Sequence, residues 1–464
     1  MAKKYGFKYI VIGNGSAGTA VALALAKAKK NVCIVECDSF GGSSIHHYDA
    51  PCGVALDFAH NFSRLSQYPE LKNQEFTFNF PTIAARETEA IIKLGNDNQK
   101  ILEDAGVICL KGAAHILNKH TIAVGDRKFT AEKFILATGS HLKTSGINNL
   151  ENITFLTPET VFKIHRLPQV ITIIGGGSTG CEIAEYFAEL GVRVLLLEAK
   201  ERILSNEDPD VSEAIAEYFT KQLGIAILTN CKVVSAEKDD YSKYLIFRYR
   251  DSEKLVRTNN IVVATGSEPN LNCGLENADV KYKKTGISVN KLYQTSTKNF
   301  YAVGGCINAS ASTDRAHLEG TSLAINLLSR NKTPADYNGL VRITNTMPEI
   351  AVVGLTETEL KKRKRKYKKA VIQLNELPAA KIHNFENGFI KVLINRSGQI
   401  LGACAVAPQA ELLISELSLA IRHKLTVLEL ASTPHIMNSY NEAIRLAAKK
   451  LVGKPSTKPK PKKH

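Results

Sequence analysis

Apolar runs of strand length punctuate this chain, and the same unit is built from them twice. Tyr9-Ile-Val-Ile12 leads into Gly13-Asn-Gly-Ser-Ala-Gly18, then a helical stretch, then Val32-Cys-Ile-Val-Glu36. Ile171-Thr-Ile-Ile174 leads into Gly175-Gly-Gly-Ser-Thr-Gly180, a second helical stretch, and Val192-Arg-Val-Leu-Leu-Leu-Glu198. Short continuous apolar runs bounded by glycine predict strands buried on both faces of a parallel sheet. The step from first glycine to closing glutamate is the same in both copies, 13 to 36 and 175 to 198. Each copy therefore predicts strand, glycine turn, helix and second strand, and the fold class is α/β.

The spacing has a chemical reading. Gly13 and Gly175 permit the tight turn out of the strand. Gly15 and Gly177 let backbone approach a pyrophosphate with no Cβ in the way, and Gly18 and Gly180 let the helix close on the strand. Phosphates then lie at a helix N-terminus, where unpaired N–H groups and the helix dipole favour negative charge. Glu36 and Glu198 are each placed to accept a ribose hydroxyl. A carboxylate at Glu198 would repel a 2′-phosphate, which favours NADH over NADPH; Lys200 and Arg202 nearby leave a minor NADPH activity open.

Further pieces recur. Phe134-Ile-Leu-Ala-Thr-Gly-Ser140 and Ile261-Val-Val-Ala-Thr-Gly-Ser267 are near copies, each a strand ending in a small-residue turn. Asn299-Phe-Tyr-Ala-Val-Gly-Gly305 repeats the theme and precedes a predicted helix from about Asp314 to Leu328. The last hundred residues predict strands at Ile350–Val353 and Phe389–Ile394, with amphipathic helices at Ala410–Arg422 and Asn441–Leu451.

Charge alters this picture in two places. The formal charge is +15, but eight cations lie in Lys361–Lys369 and five lysines follow Gly453, with no acid in either segment. Without them the remainder carries only +2, so the folded body is nearly neutral. The run reads either as a solvated loop or as a docking segment for a polyanion or membrane surface. The Pro/Lys tail, 453–464, is expected to be disordered. The nine scattered cysteines have no C-x-x-C pair and no zinc spacing, so no metal site is expected from them. Their odd number suits a reducing cytoplasm. No apolar stretch is long enough to span a membrane, and no signal peptide is read.

The order of these motifs resembles the pyridine nucleotide-disulfide oxidoreductases, the group of dihydrolipoamide dehydrogenase, glutathione reductase and mercuric reductase. The resemblance runs from about Lys8 to Val452. It is carried by both fingerprints, both Ala-Thr-Gly turns with Glu268-Pro-Asn, Tyr301-Ala-Val-Gly, Glu319-Gly, and Thr346-Met-Pro-Glu-Ile-Ala-Val-Val-Gly-Leu-Thr-Glu357. It implies two Rossmann-like dinucleotide-binding domains and a C-terminal α+β dimerisation domain. An FAD domain would comprise 1–145 and 270–338, an NAD domain 146–269, and a homodimer-forming domain 340–452. By the same resemblance FAD would contact Gly13, Gly15, Gly18, Glu36, Ala114, Gly139, Gly305 and Thr313. NAD would contact Gly175, Gly177, Gly180, Glu182, Glu198, Val233 and Gly266.

The redox centre departs from the family's G-G-T-C-x-x-x-x-C-x-P-S-K. Gly41-Gly-Ser-Ser-Ile-His-His-Tyr-Asp-Ala-Pro-Cys-Gly53 puts Ser44 and Asp49 at the two cysteine positions and Gly53 at the lysine that would face Glu182. The C-terminal H-x-H-P-T-x-x-E becomes His435-Ile-Met-Asn-Ser-Tyr-Asn-Glu442, so Met437 replaces the catalytic histidine and Glu442 stands without its usual partner. The two losses are linked, because that histidine activates those thiols. Gly305 replaces an aspartate that holds the FAD ribityl chain, removing a bond of about 1.5–3 kcal/mol and implying looser retention. Candidate catalytic residues are His46, beside His47, as an acid–base group or a helix-surface residue; Asp49, near the flavin and open to protonation by burial; Cys52, as a reactive thiol or as packing; and Glu442.

These readings imply an FAD-dependent NADH oxidoreductase that passes electrons directly to a small acceptor (quinone, oxygen or a metal ion) without a dithiol. The alternatives are a non-catalytic FAD/NAD-binding relative docked on a polyanion, a one-thiol reductase using Cys52, and the dihydrolipoyl dehydrogenase activity that resemblance alone would suggest.

Overall fold

The computed structural model describes residues 6–65, 68–71, 74–144, 146–240 and 242–452. The tail expected to be disordered, 453–464, lies outside them. The chain forms two compact units, one of residues 1–199 and 228–336 and the other of 200–227 and 337–464.

The first unit opens on strand β1 (Phe7–Ile12), helix α1 (Ser16–Lys27) and strand β2 (Val32–Glu36). β1 pairs in parallel with β2 on one side, Ile10 opposite Cys33. On its other side it pairs with β6 (Arg127–Leu136), Ile10 opposite Phe134. β3 (Ile108–Lys111) extends the parallel sheet beyond β2, and Phe300–Ala302 joins it beside β6. β4 (Ala114–Asn118) and β5 (Thr121–Val124) run on antiparallel from β6. Tyr9–Ile12 of β1 are buried on both faces, which is why they read as an unbroken apolar run and not as an alternation.

Short α2 (Gly42–His46), then α3 (Asp49–Leu65) and α4 (Phe80–Asp104), follow β2. Pro81 lies in the first turn of α4, where its missing N–H costs no hydrogen bond. The second fingerprint repeats the first. Val170–Ile174 lies between Arg193–Leu197 and Asn260–Val263 in parallel, and α5 (Ser178–Glu189) connects the first two strands. A three-stranded antiparallel sheet, 231–258, completes this half. Helix α7 (Thr313–Leu328) starts at Ser312, whose hydroxyl accepts from Arg315 N. It crosses α1 closely at Gly320, where a Cβ would stand 2.3 Å from the Ala17 carbonyl oxygen.

The second unit is a five-stranded antiparallel sheet in the order 341–344, 349–354, 400–407, 389–394, 368–373. Its helices are α8 (Glu357–Lys362), α9 (Pro378–Ile382), α10 (Ala410–Arg422), α11 (Val427–Ser432) and α12 (Glu442–Val452). Helix α6 (Pro209–Lys221) belongs to it as well. Lys391, 1% exposed in the strand 389–394, reaches Asp208 and Asp210 at 2.8 Å each. Asp208 also accepts from the backbone of Glu357 and Thr358. Arg342 pairs with Glu207 at 3.0 Å. These contacts hold 200–227 to the C-terminal sheet. Leu412 and Leu419, seven residues apart on one face of α10, are 64% and 58% exposed, and Ile436 and Met437 are more than 70% exposed. Among the described residues no helix is long and apolar enough to cross a membrane.

Candidate active site

The two glycine turns are geometric copies. Gly13 has φ +103° and Gly175 φ +109°, a region closed to side chains. A Cβ on Gly18 would stand 2.0 Å from Gly13 O, and one on Gly180 1.8 Å from Gly175 O. By contrast a Cβ on Gly15 or Gly177 would meet nothing within 4 Å. These two residues are the N-caps of α1 and α5, and no side chain caps either helix. Open space over unpaired helix N–H groups is what a pyrophosphate requires. The closing glutamates also match. Glu36 Oε2 accepts from Asn14 N at 2.7 Å, and Glu198 Oε2 accepts from Gly176 N at 2.6 Å. Each carboxylate is thereby locked at the mouth of its cradle. A carboxylate oxygen accepts more than one bond, so a ribose hydroxyl can still be received. The residues present therefore fit two dinucleotides.

The other expected cofactor contacts fall as follows. Gly139 and Gly305 are brought together, a Cβ on Gly305 lying 3.0 Å from the Gly139 carbonyl carbon. Backbone has closed where the family's aspartate would stand. Thr313 donates to Asp49, joining the first turns of α7 and α3. Asp49 is exposed at the start of α3. Ala114 starts β4, and Gly266, φ +99°, has open space around it. The Val233 side chain lies in the core at 6% exposure, but a bulge between Val233 and Ser235 breaks the ladder there. It can offer a ligand backbone, not side chain.

The α3–α5 seam shows what replaced the missing lysine. The Tyr48 hydroxyl donates to Glu182, which is 3% exposed on α5. Cys52 is 1% exposed beside them. Burial first, and then the Glu182 charge, push its thiol well above the usual range. A thiol kept neutral is a poor nucleophile, so the geometry supports packing for Cys52 over reactivity. His46 Nε2 lies 2.7 Å from Phe40 O, its ring seated against Gly95 of α4. That placement favours a positioning role over acid–base work. His47 pairs with Asp38 at 3.2 Å. Glu442, 7% exposed, does have a partner, Arg445, one turn along α12. His435 lies 3.1 Å from Glu416, while Met437 points into solvent at 71% exposure.

Sequence reading missed Tyr48, whose partner is 134 residues away. It also missed a buried group of His60, Glu185 and Glu189 farther along the same seam. The only local signal for it is the Glu-x-x-x-Glu spacing, which puts both acids on one helix face.

A repeated dinucleotide cradle, one copy in the parallel sheet with β4–β6 and the other beside an antiparallel sheet, defines a flavoprotein oxidoreductase that also takes a nicotinamide cofactor. The comparisons give the family. The pyridine nucleotide-disulphide oxidoreductase family matches residues 7–320, and its dimerisation domain matches 341–448. The chain belongs to this family, whose members are FAD-dependent and use NAD(P). It is 29% identical over 456 residues to a dihydrolipoyl dehydrogenase of Mycoplasma genitalium, spanning 96% of this chain and 98% of that one. It is 28% identical over 455 residues to a mercuric reductase of Streptomyces lividans, spanning 96% of each. Two solved structures share its fold. LpdA of Mycobacterium tuberculosis has a TM-score of 0.87 at 24% identity, with 96% of this chain and 99% of that one covered. The HOCl-induced flavoprotein disulfide reductase RclA of Escherichia coli has 0.86 at 22% identity, with 96% and 100% covered. The matched dimerisation domain supports a homodimer.

Proposed function

We propose that this chain oxidises NADH through FAD and passes the electrons straight to a small acceptor, with no dithiol relay. The observation that carries this reading is the content of α2 and the first turn of α3. Ser44 and Asp49 occupy the thiol positions, and Asp49 is tied to Thr313. When bound, FAD would supply hydride acceptance from NADH and electron release to a quinone, oxygen or a metal ion. The chain's own residues bind and orient. The α5 N-terminus and Glu198 hold the nicotinamide dinucleotide, and Tyr48 holds Glu182 in place of a lysine. Arg202 is engaged by Ser205 O and Glu207 O of its own loop and by Ser212 Oγ in the first turn of α6, which supports NADH over NADPH. The unpaired cysteines fit a cytoplasmic setting.

Anaerobic titration of the FAD-loaded protein tests this. NADH should bleach the flavin with uptake of two electrons per FAD, and NADPH should do so poorly. A dithiol couple would add two more. Uptake of four electrons, or rapid NAD reduction by dihydrolipoamide, would sink the reading.

A second reading concerns Lys361–Lys369. Lys361 and Lys369 pair with Glu357, and Arg363 reaches Glu359 at 3.7 Å. Lys362, Lys364, Arg365, Lys366 and Lys368 are exposed. We propose that these five dock a polyanion. Heparin retention should fall steeply with salt and drop when Lys364, Arg365 and Lys366 are changed to Glu. Retention unchanged by those substitutions would leave the segment a solvated loop.

A further inference from the structure

The α3–α5 seam carries two polar clusters. Tyr48, Cys52 and Glu182 form the one at the helix starts. The other lies about 5–10 Å further along the α5 axis, since Glu182, Glu185 and Glu189 share one face at spacings of three and seven. There His60 of α3 faces Glu185 and Glu189 of α5. Glu185 is fully buried and the Glu189 side chain is 2% exposed. His60 Nε2 lies 3.6 Å from Glu185 Oε2 and 3.7 Å from Glu189 Oε2. Neither His60 Nε2 nor Glu189 Oε2 has a hydrogen-bond partner, although both atoms are shielded from solvent.

Two inward-facing buried polar atoms without partners are costly, and a native interior rarely keeps them. The spacing explains what would satisfy them. At 3.6–3.7 Å the contacts are too long for hydrogen bonds. A tetrahedral ion with ligands at about 2.1 Å sets its ligand atoms roughly 3.4 Å apart, so the two histidine contacts need to close by only a few tenths of an ångström. All three ligand atoms lie within 4.8 Å of one another. Charge agrees as well: two carboxylates and a neutral imidazole would balance a divalent ion.

We propose that His60, Glu185 and Glu189 form a binding site for one divalent transition-metal ion, of the zinc or manganese class. One nitrogen and two carboxylate oxygens suit such ions, with solvent completing the shell. Ser63, one turn beyond His60, hydrogen-bonds Glu189 and orients it from behind. His60, 16% exposed, marks the way in. Because α3 begins at Asp49, in the segment of the thiol positions, and α5 is the helix of the NAD cradle, the ion would clamp the first helix to the second. It stands apart from the two thiol positions and serves no redox step.

The test uses the full chain loaded with FAD. Protein is stripped with a chelator, incubated with Zn²⁺ alone, passed through a desalting column and assayed by elemental analysis. Wild type should retain one equivalent beyond any retained by Glu189→Gln. That variant keeps the side-chain shape and should bind more than about 100-fold more weakly, since even second-layer changes cost 10–100-fold. FAD content should not change. His60→Gln, at the more exposed position, provides the same comparison if the buried substitution does not fold. Equal zinc retention by wild type and either folded variant, or none by wild type, overturns the proposal.

Discussion

Replacing Lys391 with Ala is expected to destabilise the C-terminal unit by about 3–5 kcal/mol, the usual cost of removing one partner from a buried ion pair. Lys391 is 1% exposed and bonded to Asp208, 4% exposed, and Asp210, 39% exposed. Its loss would strand Asp208 in an apolar setting. Lys391→Met combined with Asp208→Asn and Asp210→Asn should recover part of the loss, because apolar packing can replace a buried pair and the single amide oxygen at position 208 still accepts from one of the Glu357 and Thr358 N–H groups. Differential scanning calorimetry reads both results; a Lys391→Ala protein that melts like wild type would show that the pair is not holding the segment.

The pair also sets a pH window. Burial alone would raise the Asp208 carboxyl, but hydrogen bonds from Lys391 and Thr358 hold it at about 2. A depressed carboxylate stabilises the fold above its unfolded value near 3.8 and loses that contribution as pH falls towards 2, here about 2 kcal/mol. Burial opposes the Lys391 charge, yet bonds to Asp208 and Asp210 raise it above 10.5. Its contribution is lost only as pH rises past that raised value. The stability gap between wild type and Lys391→Ala should therefore narrow as pH falls from 3.8 towards 2, because only wild type has this contribution to lose.

The second large effect separates two glycines three residues apart. Gly180→Ala puts a Cβ 1.8 Å from Gly175 O, so α5 must lift from its strand, at a cost of about 1–3 kcal/mol with loss of NADH binding. Gly177→Ala has open space in the protein itself. Its melting temperature should stay near that of wild type while NADH affinity falls about tenfold or more, because the methyl fills the phosphate site. Calorimetric melting beside NADH titration distinguishes the two. Parallel losses in both variants would mean that Gly177 also packs.

The cradles were legible because everything they need is local: a buried strand, three glycines and an acid, all within 30 residues. The departures at Ser44, Asp49 and Gly305 were legible as well, since a missing functional group shows in one letter. The seam was not. Tyr48 with Glu182, and His60 with Glu189, are joined only by the packing of α3 on α5, and no periodicity in either helix names the other. Long-range bonds were the second blind spot: Asp49, read as lying close to the flavin, accepts from the Thr313 hydroxyl 264 residues away. Glu442 was expected to stand without its family partner, and Arg445, three residues on, serves instead.

The stretch 200–227 has a practical consequence for dissecting this chain. Its backbone runs on from one unit into the other and back again, so the units share three covalent crossings and no single cut separates them. A fragment beginning at Tyr337 would inherit Lys391 but neither aspartate, and Arg342 without Glu207. Such a fragment should be insoluble or molten unless 200–227 is supplied as a separate peptide, which makes complementation in trans, not truncation, the way to isolate the C-terminal half.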